Sequence, residues 1–179
     1  MWLYEKKFGK VKMENIAKYL EKFVEKIADI LVEHFKDKLL GIVWYGSSVR
    51  GKFSRESDID FILIFEKIDS LTKIYEELTK VTHKKILRTE EAKYLDRKGY
   101  LAYPSFYVMS LGEFKAHPPI LLDPVVEGKI LFEKNSIVSK EFERIKKRLK
   151  KLGAKRVRIF GDYCWILKPY MRGGEEINI

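Results

Sequence analysis

The stretch GIVWYGSSVRGKFSRESDIDFILIF, residues Gly41–Phe65, predicts two buried strands that are joined by a Gly-Ser turn and a polar loop. Asp58 and Asp60 stand two positions apart where the second strand begins. Alternate side chains of a strand share one face, with Cα atoms about 6.6 Å apart. Two carboxylates this close repel each other unless a cation lies between them. Because hard oxygen ligands suit such ions, the pair predicts a site for Mg²⁺ or Mn²⁺.

The first half of the stretch predicts a place for phosphate. Gly46 follows an apolar strand and allows the backbone to turn sharply and to approach a ligand closely. Ser47 and Ser48 then offer hydroxyl and backbone N–H groups at a predicted helix N-terminus, which attracts anions. Metal-binding carboxylates beside a phosphate cradle are typical of phosphoryl or nucleotidyl transfer, in which positioning and charge neutralisation supply most of the catalysis.

These elements together resemble the nucleotidyltransferase signature of the DNA polymerase beta superfamily. The residues that carry the resemblance are Gly46-Ser47, Arg50-Gly51 and Ser57-Asp58-Ile59-Asp60-Phe61, with an apolar strand on each side. The resemblance rests on about 25 residues that agree with the signature in order, spacing and context. The alternative is a Gly-Ser turn next to an exposed strand that happens to carry two acids.

The resemblance implies a fold and a division of the chain. The expected fold is α/β (α+β), a nucleotidyltransferase-like mixed sheet flanked by helices with a small C-terminal extension of one helix and a hairpin. Residues 1–135 are the predicted nucleotidyltransferase core and residues 136–179 the extension, which can pack with the core as one domain. A chain of 179 residues has room for one domain or for one domain with a small appendage.

The resemblance also implies a role for each site residue. Asp58 and Asp60 are the expected catalytic metal ligands, which present the α-phosphate of a nucleoside triphosphate (NTP) to an attacking hydroxyl, with pyrophosphate as the leaving group. The expected nucleotide-binding residues are Gly46 and Ser47 for the β- and γ-phosphates, Ser57 as a support of the carboxylate strand, and Arg50 for the triphosphate. For Arg50 a surface salt bridge is the alternative.

The family usually has a third acid on a later strand, and the sequence departs from that pattern. The strand predicted over Leu101–Met109 contains no Asp or Glu, and Ser105 or Tyr103 stands where the acid is expected. Asp123 and Glu113 are acids nearby in sequence, although helix capping and surface roles are commoner for such residues. A missing carboxylate weakens one of the two metal sites that such enzymes use.

The net charge of +10 is concentrated in one segment. Lys140–Arg158 contains ten Lys or Arg residues and two Glu residues, most of them in a predicted amphipathic helix. Such a cluster can bind the phosphate backbone of RNA, here through Lys146, Lys147, Lys150 and Lys151. A solvated helix face explains it equally well. Abundant Lys together with Glu is also a pattern of hyperthermophile surfaces.

Composition narrows the class of protein. No run of about 18 apolar residues is present, and the first ten residues lack the apolar core of a signal peptide, so we expect a soluble cytoplasmic protein with no membrane partner. The single cysteine, Cys164, excludes an intramolecular disulfide and a Cys-based zinc cluster, and it is expected in the core.

Periodicity and capping signals place the remaining elements. A helix is predicted over residues 13–37, a second helix begins near Ser70, and a third covers Glu90–Arg97. Ser110 and Glu113 form a predicted capping box. The basic helix over 136–152 is followed by a hairpin around Gly161-Asp162 and by an extended tail.

Two functions remain open from the sequence. The first is a Mg²⁺-dependent nucleotidyltransferase that moves a nucleoside monophosphate from an NTP to a hydroxyl of RNA, a small molecule or a partner protein. The superfamily that the chain resembles includes small prokaryotic antitoxins that modify a partner toxin. The second is a catalytically weak or inactive module on the same scaffold that binds nucleotide, RNA or a partner protein, as the missing acid and the basic helix suggest.

Overall fold

The chain folds into a mixed sheet between two layers of helices, as the computed structural model shows for residues 2–160, 162–170 and 177. The helices are α1 (Trp2–Phe35), α2 (Leu71–Lys84), α3 (Glu90–Arg97), α4 (Leu111–Lys115), α5 (Leu122–Glu127) and α6 (Ile137–Leu152). The strands are β1 (Leu39–Tyr45), β2 (Ile59–Phe65), β3 (Pro104–Ser110), β4 (Lys129–Glu133), β5 (Lys155–Ile159) and β6 (Asp162–Ile166). The predicted α+β class is confirmed.

The main sheet has four strands in the order β3-β2-β1-β4. β1 pairs antiparallel with both β2 and β4, whereas β2 and β3 run parallel. The two central strands come from the continuous apolar runs and are buried on both faces. β3 is an edge strand that begins at Pro104, which fits the absence of an N–H donor on proline.

Each face of the sheet has its own apolar layer. The long helix α1 covers one face through a stripe at helical spacing, and α3 packs against α1, with the rings of Tyr19 and Tyr94 stacked at a centroid distance of 3.6 Å. Helices α4, α5 and α6 cover the other face. The buried side chains that they contribute to this apolar layer are Phe114, Leu122, Val125, Val138, Phe142, Ile145 and Leu149.

Several capping predictions are confirmed. Ser70 and Thr89 cap α2 and α3, and the capping box of Ser110 and Glu113 opens α4. Helix α6 ends at Gly153, whose φ of 71° is the left-handed conformation that stops a helix. No helix of the described residues is both long and apolar enough to cross a membrane.

Other predictions need correction. The first helix covers 2–35 instead of 13–37, and the strand predicted from residue 101 begins at Pro104. Cys164 is exposed, because the β5–β6 hairpin is a two-stranded ribbon and Trp165 takes the position that faces α5. Gly161 and most of the tail that was expected to be extended lie outside the described residues.

Candidate active site

The Gly-Ser turn, residues 46–51, follows directly on β1. Gly46 has a φ of 84° and Gly51 a φ of 72°, so both occupy the left-handed region that favours glycine. The N–H of Gly51 donates to the carbonyl of Ser48 at 3.2 Å, and the N–H of Lys52 donates to the carbonyl of Ser47 at 3.0 Å. This pair of bonds is the Schellman arrangement that terminates a helix. The helix predicted to begin here is therefore a single turn.

The two serines of the turn have different surroundings. Ser48 is buried, and its Oγ accepts a hydrogen bond of 2.7 Å from Nε1 of Trp44 inside the protein. Ser47 is half-buried and precedes it on the turn. The sequence predicted that both hydroxyls are available to phosphate. In the structure the hydroxyl of Ser48 instead bonds Trp44 and fixes the turn on β1.

Asp58 and Asp60 are here called the acid pair, and Asp60 lies beside this turn. In the β1–β2 register Asp60 is opposite Tyr45, the last residue before Gly46. A Cβ atom built on Gly46 would overlap Oδ2 of Asp60 and would lie 3.1 Å from its Cγ. Only glycine therefore allows the turn to approach this carboxylate. Asp58, predicted on the strand, stands one residue before β2, which begins at Ile59, and its charge acts on Asp60.

The surroundings of Asp60 oppose its negative charge. Burial raises the pKa of the half-buried Asp60 carboxyl, the charge of Asp58 raises this pKa further, and the charge of Arg50 lowers it. Burial, followed by the charge of Asp60, also raises the pKa of Tyr45 to about 12. The acid pair thus has the electrostatic character of a cation site, since a bound cation would favour both charged carboxylates.

Ser57 holds the loop that leads into the acid pair. Its Oγ accepts a hydrogen bond of 3.0 Å from the backbone N–H of Ser54, and the two hydroxyl oxygens lie 2.6 Å apart. The N–H of Ser57 returns a bond of 3.3 Å to the carbonyl of Ser54. These contacts fix the backbone immediately before Asp58.

No third carboxylate joins the acid pair among the described residues. Ser105 is the neighbour of Asp60 in the parallel β2–β3 register, and its side chain is exposed on the same face. Glu113 accepts hydrogen bonds from the backbone and hydroxyl of Ser110, and Asp123 accepts one of 2.8 Å from Trp165. The described part of the chain contains no group of three His, Cys, Asp or Glu side chains that could hold a metal.

Arg50, at the end of the turn, has a partner that the sequence did not reveal. Its guanidinium forms an ion pair with Glu127, the last residue of α5. Glu127 also accepts a hydrogen bond of 2.6 Å from Nη1 of Arg156 on β5. Glu127 and Arg156 carry no local sequence signal, because they meet Arg50 only through the tertiary fold.

The comparisons with known proteins concern this same region. Residues 24–101 match the nucleotidyltransferase domain family, over a range that contains Gly46, Asp58 and Asp60. The chain is similar to nucleotidyltransferases over this segment. The resemblance that the sequence motif indicated is thereby confirmed. Ser105 of β3, Glu127 of α5 and Arg156 of β5 lie outside the matched segment.

Three solved structures are similar to this chain. A toxin-antitoxin with AMP-PNP gives a TM-score of 0.44 and 18% identity, covering 72% of this chain and 92% of that chain. A mutant of the toxin-antitoxin MntA-HpeT gives a TM-score of 0.45 and 16% identity, with the same coverage of 72% and 92%. The toxin-antitoxin MntA-HepT gives a TM-score of 0.40 and 16% identity, covering 74% and 92%. No curated protein matches the chain.

Proposed function

We propose that this chain transfers a nucleoside monophosphate from an NTP to an acceptor hydroxyl. The hydroxyl oxygen forms a bond to the α-phosphorus, the bond between that phosphorus and the bridging oxygen to the β-phosphate breaks, and pyrophosphate leaves with the electron pair. The hydroxyl proton passes to solvent. The observation that carries the proposal is the contact between the Asp60 carboxylate and the Gly-Ser turn, in a segment that matches the nucleotidyltransferase domain family.

The roles proposed for the site residues follow from their positions. Asp58 and Asp60 would hold Mg²⁺ or Mn²⁺, which supplies charge neutralisation at the phosphates when it is bound. The backbone at Gly46 and Ser47 would bind the β- and γ-phosphates, since the turn lies directly against Asp60. Ser57 would keep the loop before Asp58 in place through its bonds to Ser54.

Arg50 is proposed to bind the triphosphate from the end of the turn. Its charge already acts on Asp60, which means that the guanidinium lies close enough to influence the acid pair. A planar guanidinium suits phosphate oxygens because it donates two parallel hydrogen bonds. The surface salt bridge that the sequence left as an alternative is present as the ion pair with Glu127, and the two roles are compatible.

A second candidate function is a non-catalytic module that binds nucleotide, RNA or a partner protein. The observation that favours it is Ser105, a neutral residue at the register position beside Asp60. With two carboxylates among the described residues, the site has fewer ligands for a second metal ion, and two-metal sites stabilise both the attacking and the leaving oxygen.

The test is transfer of label from an α-labelled NTP in the presence of Mg²⁺. We expect wild-type protein to label an acceptor and Asp58→Asn with Asp60→Asn to abolish labelling. The matched control is Asp29→Asn with Asp96→Asn, which removes two exposed acids from α1 and α3. Metal-dependent nucleotide binding without transfer to any RNA or protein acceptor would favour the second function.

RNA is the acceptor class that we propose to bind at the basic surface of α6. Lys147 and Lys151 line a groove of about 740 Å³ together with Arg144, and Lys150 is also exposed. Lys146 pairs with Glu143 at 3.0 Å, so it contributes less to this basic surface. The buried face of α6 faces the sheet, which leaves these cations on the outer side of the helix.

Charge reversal tests the RNA proposal. Changing Lys146, Lys147, Lys150 and Lys151 to Glu should weaken RNA binding and reduce the slope of log affinity against log salt by up to about 3, if each lysine contacts one phosphate of a single strand. Reversal of Lys73 and Lys80, two exposed lysines of α2, is the control. Equal effects of the two sets would contradict the proposal and leave a partner protein or a small molecule as acceptor.

A further inference from the structure

An ion-pair network connects Arg50 to the C-terminal hairpin, β5–β6. Glu127 is its centre, since one carboxylate oxygen pairs with Arg50 and the other accepts a hydrogen bond of 2.6 Å from Arg156. Nε of Arg156 lies 3.1 Å from Oδ1 of Asp123, one turn earlier on α5. Three parts of the chain therefore meet here: the Gly-Ser turn, α5 and the hairpin.

The network is shielded from water at its centre. The side chains of Glu127 and Arg156 are each 14% exposed. The guanidinium of Arg156 lies over the ring of Tyr163 at 3.9 Å from the centroid, and Trp165 donates a hydrogen bond of 2.8 Å to Asp123. Removing one partner from a buried ion pair leaves an uncompensated charge, so these groups hold one another in a fixed arrangement.

The lowered pKa of Glu127 agrees with this arrangement. Burial alone would raise its pKa, but the hydrogen bonds from Arg156 and Arg50 outweigh burial, and the carboxylate is held in its charged form. Arg50 by contrast extends from a single turn, with a side chain that is 27% exposed. A long, partly exposed guanidinium has many rotamers, and fixing it before a ligand arrives lowers the entropy lost on binding.

We infer that Glu127 and Arg156 are positioning residues that hold Arg50 beside the acid pair, and that the C-terminal hairpin thereby raises the affinity of the site for an NTP. The inference rests on the proposed function, because it assigns Arg50 to the triphosphate. It adds that residues outside the nucleotidyltransferase segment set the nucleotide affinity of that segment.

A double-mutant cycle on nucleotide affinity tests the inference. The dissociation constant of a non-hydrolysable NTP is measured calorimetrically with Mg²⁺ for wild type, Arg50→Gln, Glu127→Gln and the combination. Without Glu127 the Arg50 side chain must be ordered when the NTP binds, so Glu127→Gln should weaken NTP binding by about 2- to 12-fold. Because Glu127 acts through Arg50, Glu127→Gln should produce no further weakening in the Arg50→Gln background.

A matched control separates positioning from general stability. Glu141 is a buried acid of α6 that pairs with His117 at 2.9 Å and with Arg144 at 2.5 Å. Glu141→Gln should lower the melting temperature and leave nucleotide affinity unchanged. Arg156→Met should weaken binding as Glu127→Gln does.

The outcomes are distinct. If wild-type protein binds the NTP and Glu127→Gln leaves its affinity unchanged or raises it, the inference is wrong and the proposed function stands. The same conclusion follows if Glu127→Gln weakens binding equally in the wild-type and Arg50→Gln backgrounds. A wild-type protein that binds no NTP would overturn both.

Discussion

The carboxylate of Asp60 on β2 lies directly against Gly46, which follows the last residue of β1 and begins the Gly-Ser turn. The two residues are brought together by the antiparallel register in which Tyr45 is opposite Asp60. This contact joins the part of the site suited to a cation to the part suited to phosphate, and it leaves no space for a side chain at residue 46.

Gly46→Ala should therefore affect the site more than the fold. A side chain in the left-handed conformation destabilises the protein by about 1–2 kcal/mol, and the new methyl group would also displace the Asp60 carboxylate. Gly51→Ala is the matched control, because Gly51 has a similar φ of 72° and no atom within 4 Å of an added Cβ. We expect a lower melting temperature for both variants, with the larger loss for Gly46→Ala because of the overlap with Asp60, and a loss of metal-dependent NTP affinity only for Gly46→Ala. Equal NTP affinities for the two variants would contradict this.

Ser105→Asp should restore the acid that the family pattern expects. The new carboxylate would lie beside Asp60 in the parallel register, so three like charges would repel one another without a cation. We expect a lower melting temperature than wild type in chelator and a larger rise on addition of Mg²⁺. Ser105→Asn is the neutral control of nearly equal size. A melting temperature of Ser105→Asp that does not respond to Mg²⁺ would show that residue 105 is not at the metal site.

Asp60→Asn should stabilise the metal-free protein at neutral pH. The pKa of Asp60 in the native state is raised above its ordinary value of 3.8, mainly by burial, so the native state binds the proton more tightly than the unfolded state. Stability falls as pH rises from 3.8 through the raised pKa, and the loss is complete above it. The gain from Asp60→Asn should be full at neutral pH and vanish as pH falls towards 3.8. Denaturant unfolding at several pH values in the presence of chelator measures this gain in the free energy of unfolding. A variant that is less stable than wild type at neutral pH would contradict the prediction.

Phe142→Ala tests whether the predicted extension at residues 136–179 unfolds with the core. Phe142 of α6 is 5% exposed and lies 6.2 Å from Phe114 between ring centroids. Loss of a buried phenyl ring should lower the free energy of unfolding by about 3–5 kcal/mol. If the chain is one cooperative unit, circular dichroism and tryptophan fluorescence should report a single transition at lower denaturant. Lys150→Ala, on the exposed face, is the control. Two separate transitions would instead support a boundary near residue 136.

The sequence was most informative where the chemistry is local. The spacing of Asp58 and Asp60 placed both acids where β2 begins, with Asp58 one residue before the strand. Ser110 with Glu113 forms a capping box because the two are three residues apart at the start of a helix. Pro104, which lacks an N–H donor, begins the edge strand β3. The hydrogen bond of Ser48 was harder to predict. Its partner Trp44 is only four residues away, but the burial of both residues depends on the packing of α1.

The amino-acid sequence by itself determined the nucleotidyltransferase motif and the order of strands and turns that carries it, because strand alternation, glycine conformation and helix capping act over a few residues. Only the tertiary structure decided that Ser105 is the neighbour of Asp60 and that Arg50 pairs with Glu127, 77 residues away in the chain. Such contacts depend on strand register and on helix packing across the sheet, which are set by the burial of the whole apolar core.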